Sequence, residues 1–523
     1  MNHSLKERPL MRKWLPLLTI CVGTLMLLVD VTIVNVALPD MAVNLHTSFS
    51  SLQWVVDIYA LVLAAFLLGI GSLADRLGHR STYAVGLALF AIASAVCGFA
   101  GNDTVLVAAR GVQGLGGAAM FATTFALLNS SYAGKDRGTA YGIWGAVSGA
   151  AAGIGPIAGG LLTEHLSWRW IFFVNLPFAI AAIVLCFVVL GADKRHPAPL
   201  DPAGIVTFTA FAAALTYGLI RANEDGWGDA GVLIAFAGSA LMLVAFLFLE
   251  TRNEHPMLDL RLLRNRVFAG SLLAGFVLSA AAFAYLTYAS IWMQSVRDMS
   301  PVEAGLATLP LAVAAFVTSA TLGRAMHGAR SWIGIGLGIA LTGVGGLLVA
   351  LQLSSADADW TALIAGLTVS GIGVGLAAPT LSSTAMSVVP VRRGGMAAGA
   401  VNTARQLGFA LGIAALGTLY AARISSVLAA HTVPNASAAS DAVAGGQSRL
   451  LLAQVPASAR ATTEHLIQLS SVEGLRLTAL VAGVLGVVGG LVAGALIRPA
   501  RHEAAPDVPD ATPPVEREVV GIH

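Results

Sequence analysis

The sequence predicts an all-α polytopic membrane protein, and three observations support this fold class. Only 11% of the 523 residues are charged, whereas a soluble domain carries about 25%, so the chain could not cover a soluble surface. The mean hydropathy is +0.78. Apolar runs recur along the whole chain, each of about 20 residues and therefore long enough to cross a hydrocarbon core about 30 Å thick.

Fourteen of these runs are predicted to be transmembrane helices. The first is too long for the core of a signal peptide and no small-residue cleavage site follows it, so we interpret it as a span. Most loops are short, but the segment 423–474 is longer, is rich in Ala and Ser and could hold short helices. The predicted spans are 14–38, 52–73, 82–101, 104–129, 139–163, 170–191, 204–221, 231–250, 268–295, 303–325, 332–353, 360–386, 396–422 and 475–498.

The distribution of Lys and Arg predicts that both termini are cytoplasmic. With the N-terminus inside and the loops alternating, 21 of the 30 Lys and Arg residues fall on the cytoplasmic side and 7 on the outer side. Because cytoplasmic loops are enriched in these residues, the count agrees with fourteen spans. The remaining two, Arg110 and Arg405, lie within spans.

A faint internal repeat predicts two six-helix bundles separated by two inserted helices. The spacing of Gly78 and Arg80 recurs in Gly328 and Arg330, and each pair lies on the loop after the second helix of its half. Parallel halves of this kind are a transporter architecture, with the site between them near mid-membrane. The predicted segments are a cytoplasmic N-tail (1–13), an N-terminal bundle (14–193), a linker with the inserted pair (194–267), a C-terminal bundle (268–498) with its long outer loop (423–474), and a disordered cytoplasmic tail (499–523).

Composition and missing motifs exclude several classes of function. The net charge is only +2 and no long basic block is present, so no nucleic-acid partner is expected. Cys21, Cys97 and Cys186 lie in apolar runs and are expected to be small core residues. No GxxxxGK[ST], HExxH or GxSxG motif occurs, so we expect neither an enzyme nor a cofactor or metal. A gradient-driven transporter, a channel or a scaffold remains possible.

The stretch GSLADRLGHR (71–80), which follows the second span, is a candidate conformational latch. A carboxylate at the membrane surface can meet the positive N-terminus of a neighbouring helix or a nearby arginine. Such a contact can form in one conformation and break in another, although a merely solvated loop is the alternative interpretation. The candidate latch residues are Gly71, Asp75, Arg76, Gly78 and Arg80.

Two further stretches contain residues that are unusual in the middle of a transmembrane helix. In RGVQGLGGAA (110–119), an unpaired Arg110 would cost about 2.5–3.5 kcal/mol, so it requires a partner, as in a structural ion pair, or a wet cavity. GAAAGIGPIAGG (149–160) presents glycines for close helix approach and a proline that invites a bend; generic packing is the alternative. Its candidate residues are Gly149, Gly153, Gly155, Pro156, Gly159 and Gly160.

In order and position, these three stretches resemble the signature motifs of the major facilitator superfamily. LVDVTIVNVALP (28–39), SLQWVVDIYAL (51–61), SWRWIFFVNLP (167–177) and the region 389–412 narrow the resemblance to its fourteen-helix drug:proton antiporter branch, the EmrB/QacA type. The resemblance implies the major facilitator fold and export of small amphipathic compounds in exchange for protons by alternating access, by a monomer in the cell membrane. It also implies that the latch holds the outward-facing state and that the Gly-Pro and Gly-Gly stretch marks an antiporter.

Asp30 and Asp57 are the candidate proton-coupling acids, together with Arg110. Asp30 lies about 12 Å and Asp57 about 8 Å from the outer ends of their predicted helices, so the two acids could share one cavity. Burial disfavours the charged form of a carboxylate, so such a group can take up a proton outside, release it inside, and pair with a cationic substrate in between. The resemblance supports these roles, and a purely structural acid is the alternative.

The resemblance favours monovalent cationic or neutral substrates. Relatives that handle divalent cations carry an extra acid in the tenth helix or late in the thirteenth, whereas here span ten has only Glu303 at its edge and span thirteen has Arg405 and no acid. Arg405 could assist a partly anionic drug, or it could pair with loop acids or helix-end carbonyls. The candidate substrate contacts, each of which could instead be packing, are Asn35, Trp54, Tyr59, Gln113, Phe283, Trp292, Asn402 and Gln406.

Two alternatives to a drug exporter stay open. A dedicated exporter of one endogenous metabolite, such as a self-made antibiotic, a siderophore or an amino acid, would use the same residues. A transporter-like receptor without turnover would have little need for the latch, the Arg110 stretch and both acids together. A channel is disfavoured because the charged positions do not recur as a ring.

Overall fold

In the computed structural model, every secondary-structure element among the described residues is a helix. The predicted tail 499–523 and most of the N-tail lie outside these residues. The described residues are 10–45, 47, 49–191, 201–254, 256–322, 326, 330–355, 358–390, 393–431, 433, 436–453 and 455–498.

The N-terminal bundle consists of six traverses, the last of which begins with a short helix. Asn102 caps the fourth helix by accepting a hydrogen bond from the backbone N–H of Val105, which satisfies a free donor at the helix start. The helices are α1 (Leu10–Leu45), α2 (Phe49–Leu77), α3 (His79–Gly98), α4 (Asp103–Ser131), α5 (Gly134–His165), α6 (Trp170–Phe173) and α7 (Asn175–Val189).

The inserted pair and the C-terminal bundle follow. The seventh traverse of the chain, α8, is capped by Asp201 and the eighth, α9, by Asp229. The inserted helices are α8 (Pro202–Asp225) and α9 (Ala230–Arg252). The C-terminal bundle contains α10 (Arg266–Ala282), α11 (Ala284–Ile291), α12 (Pro301–Ala307), α13 (Leu309–Leu322), α14 (Ser331–Gln352), α15 (Ile364–Ser387), α16 (Gly394–Ala430), α17 (Ala436–Ala444), α18 (Ser448–Ala453) and α19 (Ala457–Ile497), with 3-10 helices at Leu260–Arg264 and Trp360–Leu363 and a π-helix at Trp292–Val296.

Twelve of the described helical segments are long and apolar enough to cross a membrane. The other two predicted spans are also helical: α5 has 32 residues, and the tenth traverse is divided into α12 and α13 at Thr308. Pro310 explains this division, because proline lacks the N–H that a continuous helix would use. The predicted all-α polytopic fold is confirmed. Because α2 carries Trp54 near its start and Asp75 near its end, we name the two ends of the bundles the Trp54 end and the Asp75 end.

The segment 423–474 is more helical than the sequence analysis expected. Helix α16 continues to Ala430, α19 begins at Ala457, and two short helices lie between them. The Ala-rich sequence favours this extension. Glu473 also bridges the two long helices, accepting a hydrogen bond from Arg423 at 2.9 Å and lying 3.5 Å from Arg476.

The two bundles meet along two seams. On one side α5 packs against α12, α13 and α15, and on the other α2 and α4 pack against α16. Ser319 on α13 donates a hydrogen bond of 2.7 Å to the carbonyl oxygen of Gly142 on α5. At the second seam, a Cβ at Gly399 would lie only 3.2 Å from the carbonyl oxygen of Leu67. Small residues therefore allow backbone-to-backbone approach between the bundles.

Replacement of Gly343 by valine is expected to destabilise the C-terminal bundle by about 1–3 kcal/mol or more. A Cβ at this position in α14 would lie 2.5 Å from the carbonyl oxygen of Gly483 in α19, and neither backbone can yield easily. Thermal unfolding of the purified protein in detergent measures the effect. Gly238→Val on α9 is the control, because no atom lies within 4 Å of its added Cβ; equal melting temperatures for the two variants would contradict the close-packing interpretation.

Candidate functional site

Asp30 in α1 lies at the centre of a buried hydrogen-bond network inside the N-terminal bundle. Its side chain is fully buried at 0% exposure. Oδ2 accepts a hydrogen bond from Arg110 Nη1 at 2.5 Å, and Oδ1 accepts from Gln113 Nε2 at 2.9 Å and from Asn175 Nδ2 at 3.0 Å. Both oxygens act only as acceptors, as they do in a carboxylate anion.

Arg110 in α4 supplies the opposite charge and is also fully buried. Its Nε donates to the carbonyl oxygen of Val55 at 2.9 Å, and Nη1 donates to Gln113 Oε1 at 2.8 Å as well as to Asp30. The guanidinium carbon lies 4.3 Å from the ring centroid of Tyr59, within the range of a cation–π interaction. The partner that the sequence required for Arg110 is therefore Asp30.

A second layer of polar residues completes the network, and the sequence analysis did not identify it. Ser94 Oγ on α3 accepts from Gln113 Nε2 at 2.9 Å and from Asn175 Nδ2 at 3.4 Å. Cys97 Sγ lies 3.8 Å from Gln113 Oε1. The available signal was weak: Asn175 stands within the quoted stretch 167–177, as one polar residue among apolar ones.

The network can link the charge of one group to the packing of five helices. Its members come from α1, α2, α3, α4 and α7. A proton on Asp30 would remove the charge that balances Arg110 and would convert one acceptor oxygen into a donor. An unbalanced buried charge is strongly unfavourable, so the helices would have to rearrange or admit another partner.

Asp57 lies on α2, the helix that contributes Val55 and Tyr59 to the surroundings of Arg110. It lies two residues after Val55 and two before Tyr59 on α2, and a step of two residues turns a helix by about 200°. Asp57 therefore points away from the side of α2 that holds Arg110, and its side chain is half-buried. That Asp30 and Asp57 share one cavity stays a prediction.

The loop of the predicted latch joins the two bundles at the Asp75 end. Asp75 Oδ2 accepts a hydrogen bond of 2.9 Å from the backbone N–H of Met396, which is the third residue of α16. A carboxylate at this place complements the positive end of the helix dipole. His79 Nε2 lies 3.4 Å from the other oxygen of Asp75. Gly78 provides the turn into α3 with φ of 101°, which a side chain would rarely permit.

The other residues of the latch stretch have different surroundings. Arg80 Nη2 donates to the carbonyl oxygen of Phe187 on α7 at 2.8 Å, a contact within the N-terminal bundle. Arg76 is exposed and Gly71 is buried. Asp75 is thus the residue of this stretch for which the structure shows a hydrogen bond to the opposite bundle.

The glycine stretch of α5 faces both bundles. A Cβ at Gly155 would lie 3.2 Å from the carbonyl oxygen of Val29 on α1, and one at Gly160 would lie 2.6 Å from Cγ2 of Val302 on α12. Gly159 is buried. The packing of Gly149, Gly153 and Pro156 lies outside what the structure describes.

The predicted substrate contacts fall into separate environments. Tyr59 and Gln113 surround Arg110, whereas the Trp54 ring lies 5.9 Å from the ring of Tyr217 on the inserted helix α8. Trp292 is buried in the π-helix, while Phe283 and Gln406 are half-buried. Asn402 is buried and its Nδ2 donates to the carbonyl oxygen of Phe121 at 3.4 Å. The side chain of Asn35 lies outside the described part of the chain.

Over the described residues, no group of three His, Cys, Asp or Glu side chains could hold a metal ion.

Removal of Arg110 is expected to cost about 3–5 kcal/mol of stability, because Arg110→Ala leaves the Asp30 carboxylate buried without its counter-charge. The double variant Asp30→Ala/Arg110→Ala should be less destabilised than the sum of the single variants. Denaturant or thermal unfolding measures this coupling. Arg221→Gln is the control, since its 2.6 Å ion pair with Asp225 is partly exposed and such pairs contribute at most about 1 kcal/mol. If the destabilisation of the double variant equals the sum of the two single variants, the interpretation of Asp30 and Arg110 as a coupled pair is wrong.

Substitution of Asp75 by asparagine is expected to weaken closure at the Asp75 end. The amide loses the charge that complements the α16 N-terminus, an effect of about 0.3–1 kcal/mol, so a more open conformation should gain population. Spin labels at the exposed positions Ser81 and Ser387 would report it as a longer distance in pulsed electron paramagnetic resonance. Arg76→Gln, which changes an exposed charge of the same loop, should leave the distances unchanged; identical distributions in the Asp75 variant would refute the latch.

Comparison with known proteins agrees with this architecture. The sequence model of the Major Facilitator Superfamily matches residues 20–413. The Tetracenomycin C resistance and export protein of Streptomyces glaucescens is 34% identical over 518 residues, which are 95% of this chain and 94% of that protein. Multidrug resistance protein Stp of Mycobacterium tuberculosis is 34% identical over 422 residues, 80% of this chain and 78% of that protein.

The human organic anion transporter MFSD10 has a similar fold, with a TM-score of 0.59 at 16% identity over 85% of this chain and 99% of that one. At this identity the similarity concerns the fold alone. The predicted family is confirmed by the match over most of the chain and by relatives of nearly the same length. This chain is a multi-pass protein of the cell membrane and belongs to the Major Facilitator Superfamily.

Proposed function

We propose that the protein exports small amphipathic drugs or antibiotics across the cell membrane in exchange for protons, as a monomer that works by alternating access. The main support for this proposal is the fully buried network around Asp30 and Arg110. The similarity to proteins named for antibiotic resistance and export, which extends over nearly the whole chain in one case, supports the direction of transport.

The network supports proton coupling because it connects a titratable group to helix packing. Ionised Asp30 neutralises Arg110, whereas protonated Asp30 would leave Arg110 as a lone cation, at a cost of about 2.5–3.5 kcal/mol within the membrane. The two protonation states therefore prefer different arrangements of α1, α2 and α4. A free-energy difference of this size is enough to shift a two-state equilibrium.

Helix α2 connects this network to the latch. Val55 and Tyr59 contact Arg110 near the Trp54 end, and Asp75 contacts α16 at the other end. The 16 residue steps from Tyr59 to Asp75 correspond to about 24 Å of helix. A displacement of α2 at Arg110 would thus be carried to the contact with Met396.

We infer that the Asp75 end is cytoplasmic and that its contacts hold the bundles together on that side of the membrane. The distribution of positive charge in the loops favours cytoplasmic termini and a cytoplasmic Asp75 loop. Contacts close the bundles on that side: Asn402 Nδ2 donates to the carbonyl oxygen of Phe121, and Tyr141 Oη lies 3.7 Å from Met386 Sδ. Asp57, half-buried nearer the opposite end, is the proposed second acid of the proton path.

Export of a single compound is the second candidate. The relative from Streptomyces glaucescens is named for one antibiotic, while the relative from Mycobacterium tuberculosis is named for multidrug resistance. A panel of compounds separates the two possibilities, because a dedicated exporter would respond to one chemical family alone.

Proton-coupled transport is tested in inverted membrane vesicles energised to an acidic lumen. Cationic, neutral and acidic amphiphiles and divalent cations are added while a quenched pH-sensitive dye is recorded. We expect dye recovery with at least one amphiphile in the wild type and none in Asp30→Asn, because the amide cannot carry a proton. Divalent cations should give no response.

Asp225→Asn is the matched control, since it makes the same acid-to-amide exchange in a partly exposed ion pair and should transport normally. Size-exclusion profiles establish that both variants are folded. Proton efflux that survives in Asp30→Asn would remove Asp30 from the coupling path. The absence of efflux with every compound in the folded wild type would overturn the proposal of proton antiport.

A further inference from the structure

Arg405 is an ionisable side chain inside the C-terminal bundle that no described residue neutralises. It lies on α16, and neither an ion pair nor a hydrogen bond joins it to any described residue; its Nε is buried without a partner. Arg110, which also lies well inside a predicted span, has a carboxylate, an amide oxygen and a carbonyl oxygen as acceptors. Described residues therefore neutralise Arg110 but not Arg405.

The sequence around Arg405 offers no acid that could pair with it. No Asp or Glu occurs between Asp259 and Asp298 or between Asp359 and Asp441, and these intervals contain all of α10, α11, α15 and α16. Asp30 and Asp75 belong to the other bundle and already have partners. The alternative that Arg405 pairs with loop acids is therefore not what the described residues show.

Arg405 lies deep in the C-terminal bundle, against α10. It is 11 residues into α16, about 16 Å along the helix and so near the middle of a hydrocarbon core about 30 Å thick. Its Cγ lies against α10, at 3.1 Å from a Cβ placed on Gly275, whereas Gly399 of the same helix faces α2. At this depth the residue is half-buried as a whole, while its Nε is buried.

Two neighbours of Arg405 on the same helix face offer one polar and one apolar group. Asn402, one turn nearer the Asp75 end, is fully buried with an unpartnered Oδ1, so it can accept a hydrogen bond. Phe409, one turn nearer the Trp54 end, is half-buried and provides apolar surface. Positions three and four residues apart share a helix face.

We propose that Arg405 binds an acidic group of the transported compound, a carboxylate or an ionised phenol on an aromatic scaffold, and that Asn402 accepts a hydrogen bond from the same molecule. This inference rests on the proposed export function and identifies its substrate class. It departs from the expectation of a monovalent cation, because the interior of the C-terminal bundle presents an unpaired positive charge. The ligand supplies the anion that the protein lacks, and arginine favours planar oxygen acids by bidentate hydrogen bonding.

Binding of a matched pair of dyes to the purified protein in detergent tests the proposal without any proton gradient. The probes are the free acid and the methyl ester of one xanthene dye, compared by fluorescence polarisation at pH 7.5. We expect the wild type to bind the free acid about tenfold more tightly than the ester, in keeping with a charge-assisted hydrogen bond. Arg405→Gln should abolish the preference, and Arg405→Lys should retain part of it.

Arg423→Gln is the matched control, because Arg423 stands on the same helix but is partly exposed and paired with Glu473; it should keep the full preference. A second variant, Asn402→Asp, places a carboxylate one turn from Arg405 and should compete with the free acid.

A purely structural role for Arg405 predicts a lower melting temperature for Arg405→Gln, whereas our proposal predicts an unchanged or higher one, since an unpaired buried cation is removed.

The results distinguish this inference from the proposed function. Equal affinities for acid and ester in the wild type, or an unchanged preference in Arg405→Gln, would overturn the acidic-group site even if proton-coupled export of other compounds is observed in vesicles. Conversely, an acid preference that depends on Arg405 would uphold the site even if the vesicle experiment showed no proton movement.

Discussion

The ion pair between Asp30 and Arg110 is the constraint on which the N-terminal bundle depends. Hydrocarbon offers no water to solvate either charge, so each must find its partner and every remaining donor and acceptor must also be satisfied. This explains why Gln113, Asn175 and Ser94 converge on one point from three helices. The positions of α1, α2, α3, α4 and α7 are thereby tied to the charge of a single carboxyl group.

Close packing at glycines, which also occurs between α3 and α4, holds the C-terminal bundle together. Glycines let α14 approach α15 and α19 so closely that a Cβ at Gly366 or Gly343 would lie 2.5 Å from a backbone oxygen of the facing helix. Dispersion between backbones stabilises such contacts, and they place no charge in the interior. One bundle therefore contains a balanced pair and the other an unbalanced Arg405, an asymmetry that suits a molecule in which proton binding and substrate binding belong to different halves.

The fold could be predicted almost entirely from the sequence, because hydropathy and length determine a transmembrane helix locally. The exceptions have local causes as well: Pro310 divides the tenth traverse, and the Ala-rich segment after Arg423 extends α16. The candidate site was harder to predict from the sequence than the fold. The sequence showed that Arg110 needs a partner, and it suggested that Asp75 could meet a helix N-terminus, which is the contact observed.

The identity of the Arg110 partner, 80 residues away, could not be read from the sequence, because pairing across helices depends on their rotation about their own axes. For the same reason Asp57 could not be placed relative to Asp30, and the polar residues of α3 and α7 were missed.

The inserted helix α8 makes the two seams between the bundles unequal. It packs against both α2 and α16, its Ile205 Cγ2 would lie 3.1 Å from a Cβ at Gly69 of α2, and Trp227 just beyond it donates a hydrogen bond of 2.7 Å to Thr418 Oγ1 of α16. Among the described residues, neither inserted helix packs extensively against α5 or α13. A hydrophobic molecule dissolved in the lipid therefore meets a third layer of protein in front of the seam between α2 and α16.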